Sequence, residues 1–262
     1  MNVIGIIPAR MNSSRFPGKP LEKIHGMPMI GHCYHRTKIA PGIDKTYVAT
    51  CDSVIADYII SIGGNVIMTA DTHTRATTRT AEALNQIESQ MKEKVDVVVM
   101  LQGDEPLIMP ETIGDTIPCF QDPSINIVNI MSILATKEAF EDKNNVKVVV
   151  DNNNNALYFS REPIPSAWKG WKNIPRYMQT GVIAFRRDTL IKFNAIEETE
   201  LEQIESVDMN RVLETGGKIK MLLTDAITIG VDVLEELILA EKILIDDHVM
   251  KGYIKTFNKE VC

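Results

Sequence analysis

Four short β-forming runs, at residues 3–7 (VIGII), 45–50 (KTYVAT), 65–68 (NVIM) and 95–101 (VDVVVML), constrain this chain more than any other feature. Between them lie segments with helical spacing. Met29, Ile30, Cys33 and Tyr34 recur within residues 28–40, Val54 to Ile62 stops at Gly63-Gly64, and Thr77 to Gln90 follows. The resulting βαβαβαβ order predicts an α/β fold: a parallel sheet with right-handed crossovers and helices on both faces. The run 95–101 is the clearest buried strand of the set. Ligands of such sheets sit beyond the carboxyl ends of the strands. The loops 8–19 and 102–106 follow the first and fourth runs, so both open on that crevice.

The second half changes character. Residues 127–134 and 146–150 read as strands, and the polar tract Asp151–Asn155 reads as a turn before ALYFS. Antiparallel strands there would extend the sheet or form a small lobe. Residues 199–215 read as an acid-rich helix, GGKIKMLLT as a turn and strand, and 233–248 as a final helix. A chain of 262 residues, 44% hydrophobic and 24% charged, suits one globular domain or a main domain with a smaller lobe. The net charge of −7 removes the positive field that nucleic acids require, so any phosphate must be held by a local cluster of cations. No apolar run is long enough for a membrane span, and the start lacks the basic lead of a signal peptide. Cys33, Cys51, Cys119 and Cys262 form no CxxC pair, which argues against structural zinc or a disulfide framework. These observations together place the protein in the cytoplasm.

The loop Ala9-Arg10-Met11-Asn12-Ser13-Ser14-Arg15-Phe16-Pro17-Gly18-Lys19-Pro20 sets three cations directly behind a buried strand. Arginine forks and a compact lysine charge suit a polyphosphate, small polar residues can turn backbone N–H groups toward an anion, and Gly18 opens backbone angles closed to other residues. With Pro20 after Lys19 this is not the GxxxxGK[ST] loop. A solvated basic loop is the plainer reading, and the position behind a strand argues against it. Gln102-Gly103-Asp104-Glu105-Pro106 follows the most buried strand, where a carboxylate can hold Mg²⁺; its Asp could instead cap a helix. Asp232, in IGVD, also precedes a helix and could cap it. Two aspartates and a cationic loop around one crevice favour a metal–triphosphate site over three separate structural roles.

IIPARMNSSRFPGKPL, QGDEP, ALYFSREPIP and GVDVLEEL closely resemble motifs of the 3-deoxy-manno-octulosonate (Kdo) cytidylyltransferases, over about residues 3–240. The resemblance implies a nucleotide-diphosphosugar-transferase-like fold: a mixed, mostly parallel sheet sandwiched by helices, with a small antiparallel lobe, in a homodimer. It implies a reaction of CTP with a sugar acid, assisted by Mg²⁺, giving a CMP-activated acid and pyrophosphate. By position, Arg10, Arg15 and Lys19 would bind the triphosphate and act in catalysis with Asp104. Pro8, Ala9, Ser14, Ala76, Thr77 and Arg79 would complete the nucleotide site. Gln102, Arg161, Gln179 and Asp208 would face the acid, and Asp104 and Asp232 would hold the metal. The chain divides into a nucleotide-binding half (1–125), an acid-substrate and dimerisation half (126–225) and a returning metal-binding segment with a C-terminal helix (226–262).

Several positions depart from the family. Ser-Gly-Thr-Asp/Glu-Arg becomes Arg75-Ala76-Thr77-Thr78-Arg79. The His and Tyr of Arg-His-Leu-Gly-Ile-Tyr become Gln179 and Ile183, and a Glu-Gln pair becomes Asp208-Met209. Sites that hydrogen-bond their ligand reject analogues by factors of roughly 10⁴, so the expected acid is one other than ordinary Kdo, either a modified ulosonic acid or a smaller anion. Two rivals stand beside this reading: a sugar-1-phosphate nucleotidyltransferase using another NTP, and a non-catalytic nucleotide-binding homologue. Elsewhere plainer roles are expected. His25, His32, His35 and His248 show no ligand pattern, His73 lies near the cationic segment, and Trp168 and Trp171 read as packing. The Met residues read as core, and Glu197, Glu198, Glu200, Glu202 and Glu205 mostly as a solvated helix face.

Overall fold

Every residue of β1 (Val3–Ala9) is buried, as a run without polar alternation requires of a strand covered on both faces. After it come a short antiparallel ribbon, β2 (Lys23–Ile24) and β3 (Met27–Pro28), then α1 (Met29–Lys38), β4 (Lys45–Thr50), α2 (Ser53–Ser61), β5 (Asn65–Met68), α3 (Ala76–Met91) and β6 (Val97–Leu101). The computed structural model describes residues 1–13, 15–91, 93–171 and 174–260. β1 pairs in parallel with β4 on one side and β6 on the other, and β5 adds beyond β4. Strand order therefore reverses at β1. The crevice beyond the carboxyl ends of β1 and β6 is the switch point where open α/β sheets take their ligands.

The remaining elements are α4 (Pro110–Gly114), β7 (Ile127–Ile133), α5 (Lys137–Glu141), β8 (Lys147–Val150), β9 (Ala156–Ser160), β10 (Tyr177–Arg186), α6 (Arg187–Asn194), α7 (Glu200–Glu205), α8 (Met209–Glu214), β11 (Lys220–Thr224), α9 (Leu234–Leu244) and α10 (His248–Glu260). The main sheet runs β11-β7-β10-β6-β1-β4-β5, with β10 antiparallel to both neighbours. The antiparallel β8–β9 hairpin attaches to β10 and extends the same nine-stranded sheet, while β2 and β3 make a separate two-stranded antiparallel sheet. One face of the sheet buries Ile6, Leu84, Met100 and Phe185 beneath α3 and α6; the other buries Ile7, Ile30, Ile59 and Val99 beneath α1 and α2. A third cluster, with Met27, Val231, Leu244 and Tyr253, seats α9 and α10 against the β2–β3 ribbon and α1. Among the described residues no helix is long and apolar enough to cross a membrane.

The structure corrects several sequence expectations. Residues 199–215 form two helices, α7 and α8, broken at Ser206, whose φ of 52° no helix continues through. The single helix expected over 233–248 stops at Leu244, and a new one starts at His248, where the Asp247 carboxylate accepts the Met250 N–H at 2.5 Å. β10 carries no two-residue period because Gln179, Thr180 and Gly181 interrupt it, and α6 follows it directly with no connecting loop. Trp168 is 90% exposed rather than packed, whereas Trp171 lies under the Arg176 guanidinium at 4.1 Å. Glu202 is wholly buried rather than solvated, gripped by Arg211 through two bonds of 2.5 and 2.6 Å. Glu205 also faces inward and accepts from the Tyr158 and Ser160 hydroxyls.

Candidate functional site

The loop behind β1 is folded by its own backbone. The Met11 carbonyl accepts the N–H groups of Ser13 and Gly18, and the Asp52 carboxylate fixes the Met11 N–H at 2.8 Å. Gly18 takes φ +79°, which L side chains rarely adopt, and this turn swings Lys19 inward onto a single 3₁₀ turn. Pro8, Ala9, Arg10, Arg15 and Lys19 thereby line a cleft of about 420 Å³ at the switch point, a usual size for a small-molecule site. Ser14 lies outside the described residues.

Asp104 enters from the loop behind β6 and Asp232 from the segment before α9. Lys19 Nζ donates to Asp104 Oδ2 at 2.6 Å, to Asp232 Oδ1 at 2.8 Å and to the Val231 carbonyl at 3.0 Å. Burial alone would lower this ammonium's pKa, but the two carboxylates outweigh it and the net shift is upward. Arg15 reaches the other oxygen of Asp232 at 2.7 Å and Asn144 Oδ1 at 2.6 Å. Neither aspartate is a cap. The N–H groups of Asp232 and Val233 are taken by the Glu236 carboxylate, which leaves the Asp232 side chain free for the cleft.

Glu105, next to Asp104, is buried, and burial followed by the Asp104 charge pushes its pKa to about 7. Its Oε1 accepts the Gly181 N–H at 2.7 Å; Gln102 N–H in turn donates to the Gly181 carbonyl at 2.8 Å. This stitch ties the end of β6 to β10 where β10 bulges, the three residues Asn129 to Met131 of β7 facing the five residues Gln179 to Ile183. The wholly buried Asn129 amide donates to the carbonyls of Thr180 and Val182, replacing the interrupted ladder. The bulge brings Gln179 to the cleft wall beside Gln102. Asn129 and Glu105 were not singled out from sequence; a polar residue within the apolar run 127–134 was the available signal.

Ala76 and Arg79, at the start of α3, also line the cleft. Arg79 is 2% exposed, donates to Thr69 Oγ1 and the Ala70 carbonyl, and keeps one terminal nitrogen without an acceptor among the described residues. Thr77 departs from expectation: it sits behind the wall, wholly buried, and its hydroxyl donates to Asp208 Oδ2 at 2.8 Å. Asp208 does line the cleft, and burial raises its pKa. Arg161 lines the same end, its guanidinium held by the carbonyls of Glu205 and Lys143; burial, then the Arg15 charge, lower its pKa. His73 also reaches the cleft. Its ring pairs with Glu82, which also accepts the Ala70 N–H, and its carbonyl accepts from Arg10 at 3.3 Å. His32 is a satisfied core residue, bonded to Tyr253 Oη and the Ile24 carbonyl.

Among the described residues no group of three or more His, Cys, Asp or Glu side chains could hold a metal. What exists is a pair of carboxylates turned toward one cation. Mg²⁺ commonly binds in that way, through one or two carboxylates, with substrate phosphates and water completing its shell. The donor set therefore fits the ion, provided that a phosphate ligand accompanies it.

A sequence model of the cytidylyltransferase family matches residues 4–220. A 3-deoxy-manno-octulosonate cytidylyltransferase of Pelobacter propionicus is 38% identical over 253 residues, covering 92% of this chain and 97% of that protein. An 8-amino-3,8-dideoxy-manno-octulosonate cytidylyltransferase of Shewanella baltica is 40% identical over 239 residues, covering 90% and 96%. The solved structure of a CMP:2-keto-3-deoxy-manno-octonic acid synthetase complexed with CTP superposes with a TM-score of 0.83 at 34% identity, over 94% of this chain and 99% of that one.

Proposed function

Since the chain belongs to the cytidylyltransferase family, we propose that it joins CTP to a sugar acid, Kdo or a close variant, giving the CMP-activated acid and pyrophosphate. One observation carries the reading. Arg15 and Lys19 of the loop behind β1 and the aspartates behind β6 and before α9, far apart in sequence, meet within hydrogen-bonding distance in one cleft that Arg10 also lines.

In this reading the triphosphate lies along Arg10, Arg15 and Lys19, with the nucleoside toward Ala76 and Arg79. The acid occupies the end lined by Gln102, Arg161, Gln179 and Asp208. The anomeric hydroxyl of the acid attacks the α-phosphorus and gives up its proton to water; the new O–P bond forms as the bond to the bridging oxygen of the β-phosphate breaks, and pyrophosphate departs. Asp104 and Asp232 would hold Mg²⁺, which when bound supplies charge neutralisation at the phosphates. Arg10, Arg15 and Lys19 neutralise the charge that grows on the departing oxygens, an electrostatic contribution set up in advance by the fold. Arg161 pairs with the carboxylate of the acid, and Gln102 and Gln179 orient its hydroxyls. A family-like homodimer acting in the cytoplasm completes the proposal, and light scattering of the purified protein reports the first of these.

Relatives carry the names of two acids, and the cleft differs from the family at Gln179 and Asp208. The test therefore measures pyrophosphate release with CTP, Mg²⁺ and each of Kdo, its 8-amino analogue and smaller 2-keto acids. Parallel assays replace CTP by ATP, GTP and UTP. Turnover with CTP and an octulosonic acid is expected. Turnover only with a sugar 1-phosphate, or with none of the four triphosphates, would overturn the reading.

A further inference from the structure

Lys19 Nζ has three N–H donors, and all three are spent: on Asp104 Oδ2, on Asp232 Oδ1 and on the Val231 carbonyl, at 2.6, 2.8 and 3.0 Å. The same ammonium is the group assigned to the triphosphate. It cannot serve both partners at once. The two carboxylates, meanwhile, already have two cations, Lys19 between them and Arg15 on the outer oxygen of Asp232. The ligand-free cluster is electrically balanced, and its central position is filled by a nitrogen only 11% exposed on its side chain.

From this geometry we infer that Lys19 is a positioning residue that keeps divalent metal out of the empty site and surrenders the carboxylate pair only when nucleotide phosphates draw it away. A divalent ion approaching the free protein meets two carboxylates already paired with cations and must displace an ammonium bonded to three acceptors. A triphosphate changes both terms. Its oxygens offer Lys19 and Arg15 new acceptors, and its negative charge leaves Asp104 and Asp232 uncompensated, ready for the metal. Metal and nucleotide therefore enter as a coupled pair, each raising the affinity for the other by the same factor. The glycine turn at Gly18 makes the exchange local, since it holds the backbone of Lys19 while the side chain swings. This inference rests on the reading that Asp104 and Asp232 bind the metal.

The experiment uses Mn²⁺ as probe and equilibrium dialysis of the full chain, with and without CTP and always without the acid, so that no turnover occurs. Thermal melting in parallel reports folding. Wild-type protein is expected to take up Mn²⁺ weakly alone and far more tightly with CTP. Lys19→Met, and Lys19→Gln as a second variant, are expected to bind Mn²⁺ without nucleotide roughly 5–150-fold more tightly than wild type, the usual range of such couplings, and to melt higher when it is added. Asp104→Asn on the Lys19→Met background should abolish that uptake. Wild type binding Mn²⁺ alone as tightly as Lys19→Met, or folded Lys19 variants still requiring CTP, would overturn the role of Lys19 and leave the metal assignment standing. No protein-dependent uptake by any form, even with CTP, would overturn the metal assignment itself.

Discussion

Gly181 sits where β10 passes the end of β6, and the space for a side chain there is occupied. A Cβ at this position would lie 2.8 Å from Glu105 Cγ and 2.9 Å from Gln102 Cβ, where ordinary contact begins at 3.4 Å. Relief from 2.8 to 3.4 Å requires a displacement of about 0.6 Å. Neither neighbour can yield by swinging a flexible tip, because the clashing atoms lie near the backbone and Glu105 is pinned to the Gly181 N–H at 2.7 Å. Gly181→Ala should therefore cost about 1–3 kcal/mol of overpacking strain, a fall in melting temperature of about 2–12 °C at about 2–4 °C per kcal/mol. The same displacement moves Gln102 and the neighbouring Asp104. Since an error of about 1 Å can cost about 100-fold in rate, kcat/KM should fall roughly 10- to 100-fold. Gly252→Ala is the control: it lies in α10 with nothing among the described residues within 4 Å of a new Cβ, and should stabilise slightly, by about 0.5–1 kcal/mol. Melting by circular dichroism and pyrophosphate release measure the two effects. A Gly181→Ala enzyme melting within 1 °C of wild type (below the roughly 2 °C floor of the expected shift) with unchanged kcat/KM would refute the argument.

Other consequences are accessible to the same assays. Glu202→Ala strands the buried Arg211 guanidinium and should cost about 3–5 kcal/mol, read as a loss of melting temperature that Arg211→Met with Glu202→Leu partly restores. Thr77→Val removes the hydroxyl that fixes Asp208 from behind the wall, so KM for the acid should rise while KM for CTP stays put. Burial lowers the pKa of His32 and of His35 from 6.5 to about 4. The unfolded chain takes up these protons first as pH falls, so their contribution is intact above about pH 6.5 and is lost progressively toward pH 4. His35→Phe, which keeps the stack on Tyr253, should flatten the slope of stability against pH across that window; an unchanged slope in urea titrations would contradict the assignment.

The parallel half of the sheet was legible because β1 and β6 are buried along their whole length and the four strands alternate with helices that end at recognisable stops. The site was legible to the extent that charge sits in strand-end loops: Arg10, Arg15, Lys19, Asp104 and Asp232 needed only the rule that such loops share one edge. What escaped depends on tertiary partners. Glu202 and Glu205 look solvated within an acidic run until Arg211 and Tyr158 are seen behind them. Thr77 keeps the family residue yet faces away from the cleft, a direction that spacing along α3 does not reveal. β10 was invisible because its bulge breaks the alternation that identifies strands, and the residue that repairs the bulge, Asn129, lies some fifty positions earlier.

The last strand of the sheet closes at Thr224, whereas Asp232 follows only afterwards, held in place by the cluster around Tyr253. A growing polypeptide can thus complete its entire β-scaffold while still lacking one of the two carboxylates in the cleft. A chain that stops at Thr224 holds every strand of the sheet and none of the segment that carries Asp232 to the cleft.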